Sequence, residues 1–356
     1  MTLKVAVVGT GKVAHNYLAA IVQHKDISLI YYNRNRDKAA AVAQQYGGRV
    51  ADSLAELMAD APDTVLVLTN ESSRYAVTEE LLTFHPKRLF FEKPLVAQQG
   101  QAAVSEEDFR LAKTLLQRAQ AAGTETAMVF NYRFFDQTIQ ARELIQTHNL
   151  GRPVHFTALV HYACWSHCID LVLDFIGPAD TITALATQQS GPCMGSEDVA
   201  NVTAALRMQN DATGTIIGTC AIDFKLPLYE LTLAFERGRI SMRDLDGDLE
   251  LIDYASGRHI VYALRRDVSR WDQYRASFGK AINAYLASVR AGAPPPVPGL
   301  AGLRELQFEA ALKRSIAQGQ PVVLDTAFPL EQLHRARREY TENTEKKQHA
   351  EKFVRG

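Results

Sequence analysis

A glycine-rich segment near the start of the chain could bind the phosphates of a dinucleotide. It reads Gly-Thr-Gly-Lys-Val-Ala over residues 9–14, directly after a β-branched stretch and before a helical pattern, which is the strand–turn–helix context such a loop requires. There Gly9 permits a tight turn, Gly11 lets the backbone approach a pyrophosphate, and Ala14 keeps helix and strand close. Free N–H groups at the helix start would bind phosphate oxygens. The predicted contacts are Gly9, Thr10, Gly11, Lys12 and Val13.

The residues after the second predicted strand bear on which dinucleotide binds. NAD sites usually have Asp or Glu there, as acceptor for the ribose hydroxyls. This chain has Tyr-Asn-Arg-Asn-Arg over residues 32–36, with no carboxylate before Asp37. Arg34 can bind a 2′-phosphate through paired charge-assisted hydrogen bonds, or stack on adenine. We therefore expect NADP(H) to be preferred, with NAD(H) possible, and Asn33 and Arg34 as contacts. The alternative is that Arg34 and Arg36 are solvated loop residues.

Alternating strands and helices must position these groups. Short apolar and β-branched runs predict strands over 3–8, 27–32, 64–69, 88–91 and 125–130. Amphipathic patterns predict helices between them, over 12–23, 37–46, 73–84 and 109–122. This order predicts an α/β fold whose N-terminal domain, residues 1–130, is a doubly wound parallel sheet of the Rossmann type with right-handed crossovers.

The pattern changes after about residue 150. A helix is predicted over 165–175, followed by strand-like stretches near 180–187, 198–207, 214–222, 228–235 and 239–242. Helices over 271–290 and 300–317 and a strand over 322–324 follow. Successive strands with few helices between them predict an α+β domain over 131–330 with an open, mostly antiparallel sheet that leaves one face for a ligand or a second subunit. We expect a homodimer or homotetramer, and a solvated charged tail over 331–356.

Composition argues against several classes of protein. The 356 residues are 47% hydrophobic and 22% charged, with a net charge of −1, which fits a two-domain globular protein. A chain so nearly neutral has no field that would attract nucleic acid or an anionic membrane. Neither an apolar stretch of spanning length nor a secretion-signal pattern is present. We expect a cytoplasmic protein with no nucleic-acid or membrane partner.

Four cysteines in a chain of this length do not make a disulfide framework. Thiol, imidazole and carboxylate groups that could bind a metal crowd into ten residues, at His161, Cys164, His167, Cys168 and Asp170. No second Cys/His pair at zinc-finger spacing follows, and buried free cysteine is common. We therefore predict a pocket wall without a metal.

Four further motifs follow the glycine-rich segment in order. They are Phe-Glu-Lys-Pro-Leu over 91–95, Phe-Asn-Tyr-Arg-Phe over 130–134, Leu-Gly-Arg-Pro-Val over 150–154 and His167-x-x-Asp170. Together these motifs resemble the glucose–fructose oxidoreductase/inositol dehydrogenase family, or Gfo/Idh/MocA family. The resemblance runs from residue 3 to about 325 and includes a late pattern between residues 301 and 322. It implies a nicotinamide-dependent oxidoreductase acting on a sugar, a cyclitol or a derivative, with the active site between two domains.

The resemblance also implies catalytic residues. Lys93 would lie beside the nicotinamide and the substrate hydroxyl, and His167 matches the family's catalytic histidine. Oxidation of a carbinol requires removal of the hydroxyl proton, which either group can accept. We interpret His167 as the proton carrier and Lys93 as the group that polarises the oxygen, although the roles could be exchanged. The family's aspartate four residues before the histidine is Ala163 here; Asp170 could hydrogen-bond the imidazole and partly compensate.

Further contacts are predicted by position at strand ends. The cofactor contacts added in this way are Thr69, Asn70, Glu92, Lys93 and Pro94. The predicted substrate contacts are Arg133, His161, Tyr162 and Trp165. The segment between residues 154 and 167 is short for the family, which predicts a more open pocket with room for a bulky substrate such as a nucleotide sugar.

The function that these observations favour is hydride transfer between NADP(H) and a secondary alcohol or ketone of a sugar, cyclitol or sugar derivative. Retention of both Lys93 and His167 supports turnover. Two alternatives stay open. Loss of the aspartate at Ala163 leaves room for a catalytically silent regulator that senses the cofactor, and the substrate could be a non-sugar ketone or imine.

Overall fold

The computed structural model describes residues 2–193, 197–245, 247–263 and 267–324. Its first sheet is parallel and six-stranded, in the order β3-β2-β1-β4-β5-β6. The strands are β1 Leu3–Val8, β2 Ile27–Tyr32, β3 Arg49–Val50, β4 Thr64–Val67, β5 Arg88–Phe91 and β6 Glu125–Met128. The strand order reverses between β1 and β4, and such a reversal opens a crevice beyond the carboxyl ends of the strands. The predicted doubly wound N-terminal sheet is confirmed.

Five helices connect these strands: α1 Lys12–Ile21, α2 Arg36–Tyr46, α3 Leu54–Ala59, α4 Glu71–Leu82 and α5 Glu106–Ala121. Local caps fix several boundaries. The Asn35 side chain accepts a hydrogen bond from the Lys38 amide at the start of α2. Ser105 and Asp108 form a reciprocal capping box, so α5 begins three residues before the predicted start. Neither β3 nor α3 was predicted, because both are shorter than the windows that reveal periodicity.

The second sheet has nine strands in the order β14-β13-β12-β11-β7-β10-β9-β8-β15. They are β7 Pro153–His161, β8 Ala179–Cys193, β9 Glu197–Met208, β10 Thr213–Thr219, β11 Tyr229–Phe235, β12 Gly238–Arg243, β13 Leu249–Asp253, β14 Arg258–Tyr262 and β15 Val322–Val323. Strands β7 and β10 pair in parallel, while the other pairs, such as β8 with β9, are antiparallel. The mostly antiparallel sheet is therefore confirmed. Strands β7, β13 and β14 were not predicted, and the stretch predicted over 214–222 ends at Thr219.

One face of this sheet is covered by helices and the other exposes apolar side chains. The remaining helices are α6 Asp136–Thr147, α7 Trp165–Phe175, α8 Arg270–Ala291 and α9 Gly299–Gln318. Side chains of α6, α7 and α9 join the inward residues of the strands in one core. On the opposite face, Leu159, Leu185 and Ile217 are exposed, Leu185 by 72%. Alternation along the strands therefore leaves an apolar row on the uncovered face.

The last helices return to the first sheet. Phe278, Ile282 and Tyr285 of α8 pack in the same core as Tyr17 and the other buried side chains of α1. At the start of α9, the Met128 amide at the end of β6 donates to the Val297 carbonyl. The strands of the first sheet all lie before residue 130, but part of its cover comes from residues 270–291. The predicted domain division stays a prediction, and the predicted tail over 331–356 lies outside the described residues.

None of the helices in the described part of the chain is long and apolar enough to cross a membrane. Between the main elements lie three short 3-10 helices that border the sites described below. They are Gln101–Ala103, Asn131–Phe134 and Tyr162–Cys164.

Candidate active site

The two glycines of the phosphate loop have different structural demands. Gly9 has a φ of +95°, and a Cβ there would lie 2.6 Å from the Thr69 amide nitrogen and 2.7 Å from the Leu68 carbonyl carbon. Gly9 therefore fits the turn against β4 only because it has no side chain. A Cβ at Gly11 would meet nothing within 4 Å. Gly11 is also the N-cap of α1 and offers no side-chain cap, so the first amides of the helix face open space.

That open space is a cavity of about 660 Å³ at the carboxyl end of the first sheet. The cavity brings together eight of the predicted site residues: Gly11, Lys12, Val13, Thr69, Asn70, Glu92, Lys93 and His167. Its lining extends from the phosphate loop to His167 of α7 and also includes Asn131, Tyr274 and Phe278. Uncapped helix amides and a glycine without a neighbour at one end fit a dinucleotide pyrophosphate. The predicted contacts Gly9, Thr10, Asn33, Arg34 and Pro94 are not among the residues that line it.

The segment after β2 contains two arginines, and within the described part of the chain only one of them is in an ion pair. Asn33 donates from Nδ2 to Thr10 Oγ1 at 2.7 Å, which ties this loop to the phosphate loop. The Arg36 guanidinium bonds Asp52 at 2.5 Å. Arg34 is exposed, and among the described residues it has no ion pair. Arg34 is therefore the guanidinium of this loop that a 2′-phosphate could meet without breaking an existing pair.

The turn after β5 places Lys93 at the border of the cavity. Glu92 is buried, accepts a 2.5 Å hydrogen bond from the Tyr17 hydroxyl through Oε1 and one of 2.9 Å from the Lys93 amide through Oε2. The Lys93–Pro94 peptide is cis. The Lys93 ammonium donates from Nζ to Gln101 Oε1 at 2.9 Å. Glu92 thus holds the backbone of the turn, and Gln101 holds the head group of Lys93.

Arg74 is a buried side chain of α4 that bonds the same turn and that the sequence analysis did not assign to the site. It is 2% exposed and donates to the carbonyls of Glu92, Pro94 and Thr69. Burial lowers the pKa of Arg74 to about 10, so the guanidinium is still charged at neutral pH. One side chain therefore joins the end of β4 to the Glu-Lys-Pro turn. Its position on α4, facing three buried carbonyls, follows from the tertiary structure and has no sequence signature.

His167 lies on α7 with its ring flat against Tyr132, the centroids 4.0 Å apart and the planes at 4°. The residue is 4% exposed, and its Nδ1 atom has no hydrogen-bond partner among the residues that the structure describes. Burial, together with the nearby charge of Lys93, lowers the pKa of His167 well below its usual value. The imidazole is therefore neutral at neutral pH and a weak base.

The hydrogen bonds that the structure shows for Asp170 go to Arg133 and not to His167. Both of its carboxylate oxygens accept hydrogen bonds from Arg133, at 2.7 Å from Nε and 2.6 Å from Nη2, and Arg133 also pairs with Asp174. Arg142 bonds the other oxygen of Asp174. The bidentate guanidinium thus engages both oxygens of Asp170, and the role of Asp170 beside the imidazole stays a prediction. Arg133 is held in this buried ion-pair network and lines neither cavity.

Tyr162 and Trp165, two predicted substrate contacts, line a second cavity of about 460 Å³. Its apolar wall comes from β8, β9 and α9, and its polar groups include Gln101, Glu309 and Lys313. Gln101 thus lies between the Lys93 ammonium and this second space. His161 is buried, packs edge-on against Phe224 and does not line the cavity. Its Nδ1 atom accepts a hydrogen bond from the Ala163 amide at 3.0 Å.

A disulfide joins Cys193 at the end of β8 to Cys220 after β10, whereas Cys164 and Cys168 are buried free thiols. The sequence analysis did not anticipate this pair, which is 27 residues apart and is brought together by the sheet. Within the described chain, His161, Cys193 and Cys220 are close enough to share a metal ion. His161 Nδ1 already accepts the Ala163 amide proton, and the sulfurs of Cys193 and Cys220 are bonded to each other. In this arrangement these three atoms do not form a metal site.

Comparison with known proteins agrees with this architecture. Residues 3–122 match the model of the Gfo/Idh/MocA oxidoreductase family with an NAD-binding Rossmann fold. No curated protein matches the sequence. The predicted family resemblance is thereby confirmed over the first domain.

Solved structures share the fold over most of the chain. An oxidoreductase from Agrobacterium radiobacter in complex with NAD+, L-tartaric acid and magnesium is 19% identical, with a TM-score of 0.74 over 91% of this chain and 98% of that one. The WlbA dehydrogenase from Bordetella pertussis with NADH and UDP-GlcNAcA is 18% identical, with a TM-score of 0.71 over 91% and 98%. UDP-N-acetylglucosamine 3-dehydrogenase GnnA from Acidithiobacillus ferrooxidans is 17% identical, with a TM-score of 0.69 over 89% and 99%.

Proposed function

We propose that the whole chain, whose residues 3–122 match the Gfo/Idh/MocA family model of NAD-binding oxidoreductases, is an NADP(H)-preferring dehydrogenase or reductase of a sugar-like secondary alcohol. One observation carries the proposal. Lys93, in the turn after β5, and His167, on α7, line the same cavity as the uncapped start of α1. A dinucleotide bound at that helix would extend toward the two side chains that could manage a proton.

A bound nicotinamide would supply the hydride acceptor or donor. The residues of this chain bind the cofactor, orient the substrate and move its proton. The amides at the start of α1 bind the pyrophosphate. Lys93, held by Gln101 and by the Glu92 turn, meets the substrate oxygen and takes or gives its proton. We assign this role to Lys93 rather than to His167, because burial lowers the pKa of His167 and makes its ring a poor proton acceptor. His167, neutral and stacked on Tyr132, positions the substrate by hydrogen bonding.

The preference for NADP(H) is supported by the loop after β2. Arg36 is paired with Asp52, while Arg34 is exposed and lies next to Asn33, which bonds the phosphate loop. A 2′-phosphate at this place would find a guanidinium that has no competing carboxylate among the described residues. The ribose hydroxyls of NAD would find no acidic acceptor in this loop, so NAD(H) is the weaker cofactor.

The substrate class rests on the family and on the second cavity. Two of the solved relatives are a dehydrogenase with UDP-GlcNAcA and a UDP-N-acetylglucosamine 3-dehydrogenase. A sugar or cyclitol fits the polar border at Lys93 and Gln101, and a bulky sugar derivative could extend along Tyr162 and Trp165. The apolar row of Leu159, Leu185 and Ile217 supports assembly into a homodimer or homotetramer. We further expect the protein to act in the cytoplasm.

A panel of polyols and keto-sugars, tested with NADP+, NAD+ and NADPH, checks the proposal. We expect a change in nicotinamide absorbance with at least one substrate and a lower KM for NADP+ than for NAD+. The unpaired Nδ1 of His167 is the observation that favours a cofactor-sensing regulator instead, since the imidazole lacks the partner that would orient it. Tight NADP(H) binding without turnover of any compound would support that regulator and reject the enzyme.

A further inference from the structure

Two glutamates on α9 are buried, and one of them, Glu305, lacks the partners that a buried charge requires. Glu305 is 1% exposed and Glu309 is 6% exposed, and they stand one helical turn apart. Within the described part of the chain, no donor group reaches either carboxylate oxygen of Glu305. A buried carboxylate without a cation or donor is costly, so this pair requires an explanation that packing does not give.

The surroundings of the pair connect it to Lys93. Glu309 lines the second cavity together with Gln101, and Gln101 Oε1 accepts the hydrogen bond from the Lys93 ammonium. The charge of Lys93 acts on both carboxyl groups. A cavity of about 460 Å³ is large enough to hold several water molecules. Gln101, which holds the Lys93 ammonium, and Glu309 therefore border one space that water could fill, and Glu305 lies one helical turn from Glu309.

The other charged groups near the pair have fixed roles. Asp170 of α7 faces Glu305 but is bound by Arg133. Tyr162 and Lys313 face Glu309, and Lys313 donates to the Val104 carbonyl. Cys193 also lines the cavity, but its sulfur is bonded in the disulfide and carries no proton. Burial and mutual repulsion raise the pKa of Glu305, and burial raises that of Glu309. Two such carboxyl groups do not both ionise.

We propose that Glu305 and Glu309 share one proton and act as the internal proton acceptor for Lys93, through water in the second cavity. This inference rests on the proposed function. Before oxidation the Lys93 ammonium gives its proton to the singly charged pair, which leaves a neutral amine and two neutral acids. The transfer removes the buried charge of the pair together with the charge of the half-buried ammonium, and the positive ring of the oxidised cofactor favours it further.

The chemical step then balances. The carbinol carbon gives its hydride to the oxidised nicotinamide, the hydroxyl proton passes to the neutral Lys93 amine, and a ketone forms. Glu309 releases one proton to water in the cavity, so alcohol and NADP+ yield ketone, NADPH and one proton. In reduction the same groups move the proton in the opposite direction. Glu305 and Glu309 act through Lys93 and are positioning residues for its proton.

Infrared difference spectroscopy of the full protein tests the shared proton without any substrate. We expect a C=O band of a protonated carboxyl group at neutral pH, which the E305Q/E309Q double variant loses. Saturating NADP+ should strengthen this band in the wild type, because the proton leaves Lys93 for the pair. NADPH, whose ring is neutral, and NADP+ with the K93M variant should leave it unchanged. The proposal is overturned if the wild-type spectrum has no such band, or if the intensity of the band does not change when NADP+ is added.

The pH dependence of kcat/KM for oxidation separates a proton acceptor from a space-filling pair. In E305Q/E309Q, Lys93 must lose its proton to solvent. The acidic limb of the kcat/KM profile should therefore shift to higher pH by about one unit or more, and oxidation at pH values below that limb should be about tenfold slower than in the wild type. Matched E107Q, at an exposed glutamate of α5, should superimpose on the wild type. An equal loss at every pH means that the pair is only structural. If no alcohol turns over, the proposed function fails, while the infrared result still decides the proton sharing.

Discussion

The two ends of the first cavity are built by different means. At the proposed phosphate end, the groups that would bind are backbone amides and two glycines, all from residues 9–14. At the other, proposed catalytic end, Lys93 and His167 come from separate segments, and Gln101, which holds the Lys93 ammonium, comes from a third segment at the border of the second cavity. The first end depends on backbone geometry within one turn, whereas the second depends on side chains that only the tertiary structure brings together. Substitutions at the two ends should therefore fail in different ways.

The largest effect is expected at the catalytic end from Lys93→Ala. Loss of the amine removes the group that takes the substrate proton, so kcat should fall by about 10²- to 10⁴-fold, the range for a general acid–base group. Cofactor affinity, set mainly at the other end, should change little. Steady-state kinetics and NADPH fluorescence titration measure the two quantities. Lys87→Ala, at an exposed lysine paired with Asp63, is the control; near-normal turnover of Lys93→Ala would contradict the assignment.

The glycines divide the phosphate end into a folding role and a binding role. Gly9→Ala should lower the free energy of unfolding by about 2–4 kcal/mol, because it combines a left-handed conformation with a clash against Leu68 and Thr69. Gly11→Ala should leave the fold nearly unchanged, since its Cβ enters open space, but should weaken dinucleotide binding about tenfold or more. Urea unfolding and cofactor titration of both variants check this. Equal losses of stability would remove the distinction.

Arg34→Ala tests the ribose part of the phosphate end. Removing a charge-assisted hydrogen bond to a 2′-phosphate should weaken NADP(H) by about 1.5–3 kcal/mol, while NAD(H), which lacks that phosphate, should bind almost as before. Arg36→Ala is the matched control, because Arg36 is already paired with Asp52. Calorimetric titration with both cofactors gives the ratio. A similar loss for NADP(H) and NAD(H) would show that Arg34 does not contact the 2′-phosphate.

The smallest effect concerns the buried imidazole at the catalytic end. The pKa of His167 is lowered in the folded protein, so folding favours the neutral ring. This contribution is complete above the unfolded pKa near 6.5 and is lost as the pH falls below it, by at most about 1.4 kcal/mol per pH unit. Urea unfolding at pH 7.5 and 5.5 should therefore show a larger acid destabilisation for the wild type than for His167→Asn. Equal pH sensitivity would show that His167 is not buried as a neutral ring.

The contrast between the two ends also sets what sequence could predict. The glycine-rich loop, the parallel sheet and α7 follow from local pattern, and α7 was predicted with its observed bounds, Trp165–Phe175. The Ser53–Glu56 spacing at α3 was a capping signal that could have revealed that helix. By contrast, the partner of Asp170 could not be deduced, because Arg133 lies 37 residues away and competes with a neighbour one turn along the helix. The role of Gln101, the burial of Arg74 and the disulfide likewise depend on long-range packing.

The return of α8 to the first sheet affects how this protein can be taken apart or recombined. A fragment ending near residue 130 would keep all six strands of that sheet but would uncover Tyr17, Leu18 and Ile21, which α8 helps to bury. Such a fragment should aggregate or need a detergent-like additive. A chimaera that takes its cofactor-binding sheet from a relative should therefore take the segment equivalent to residues 270–291 from the same relative, because the two segments pack in one core.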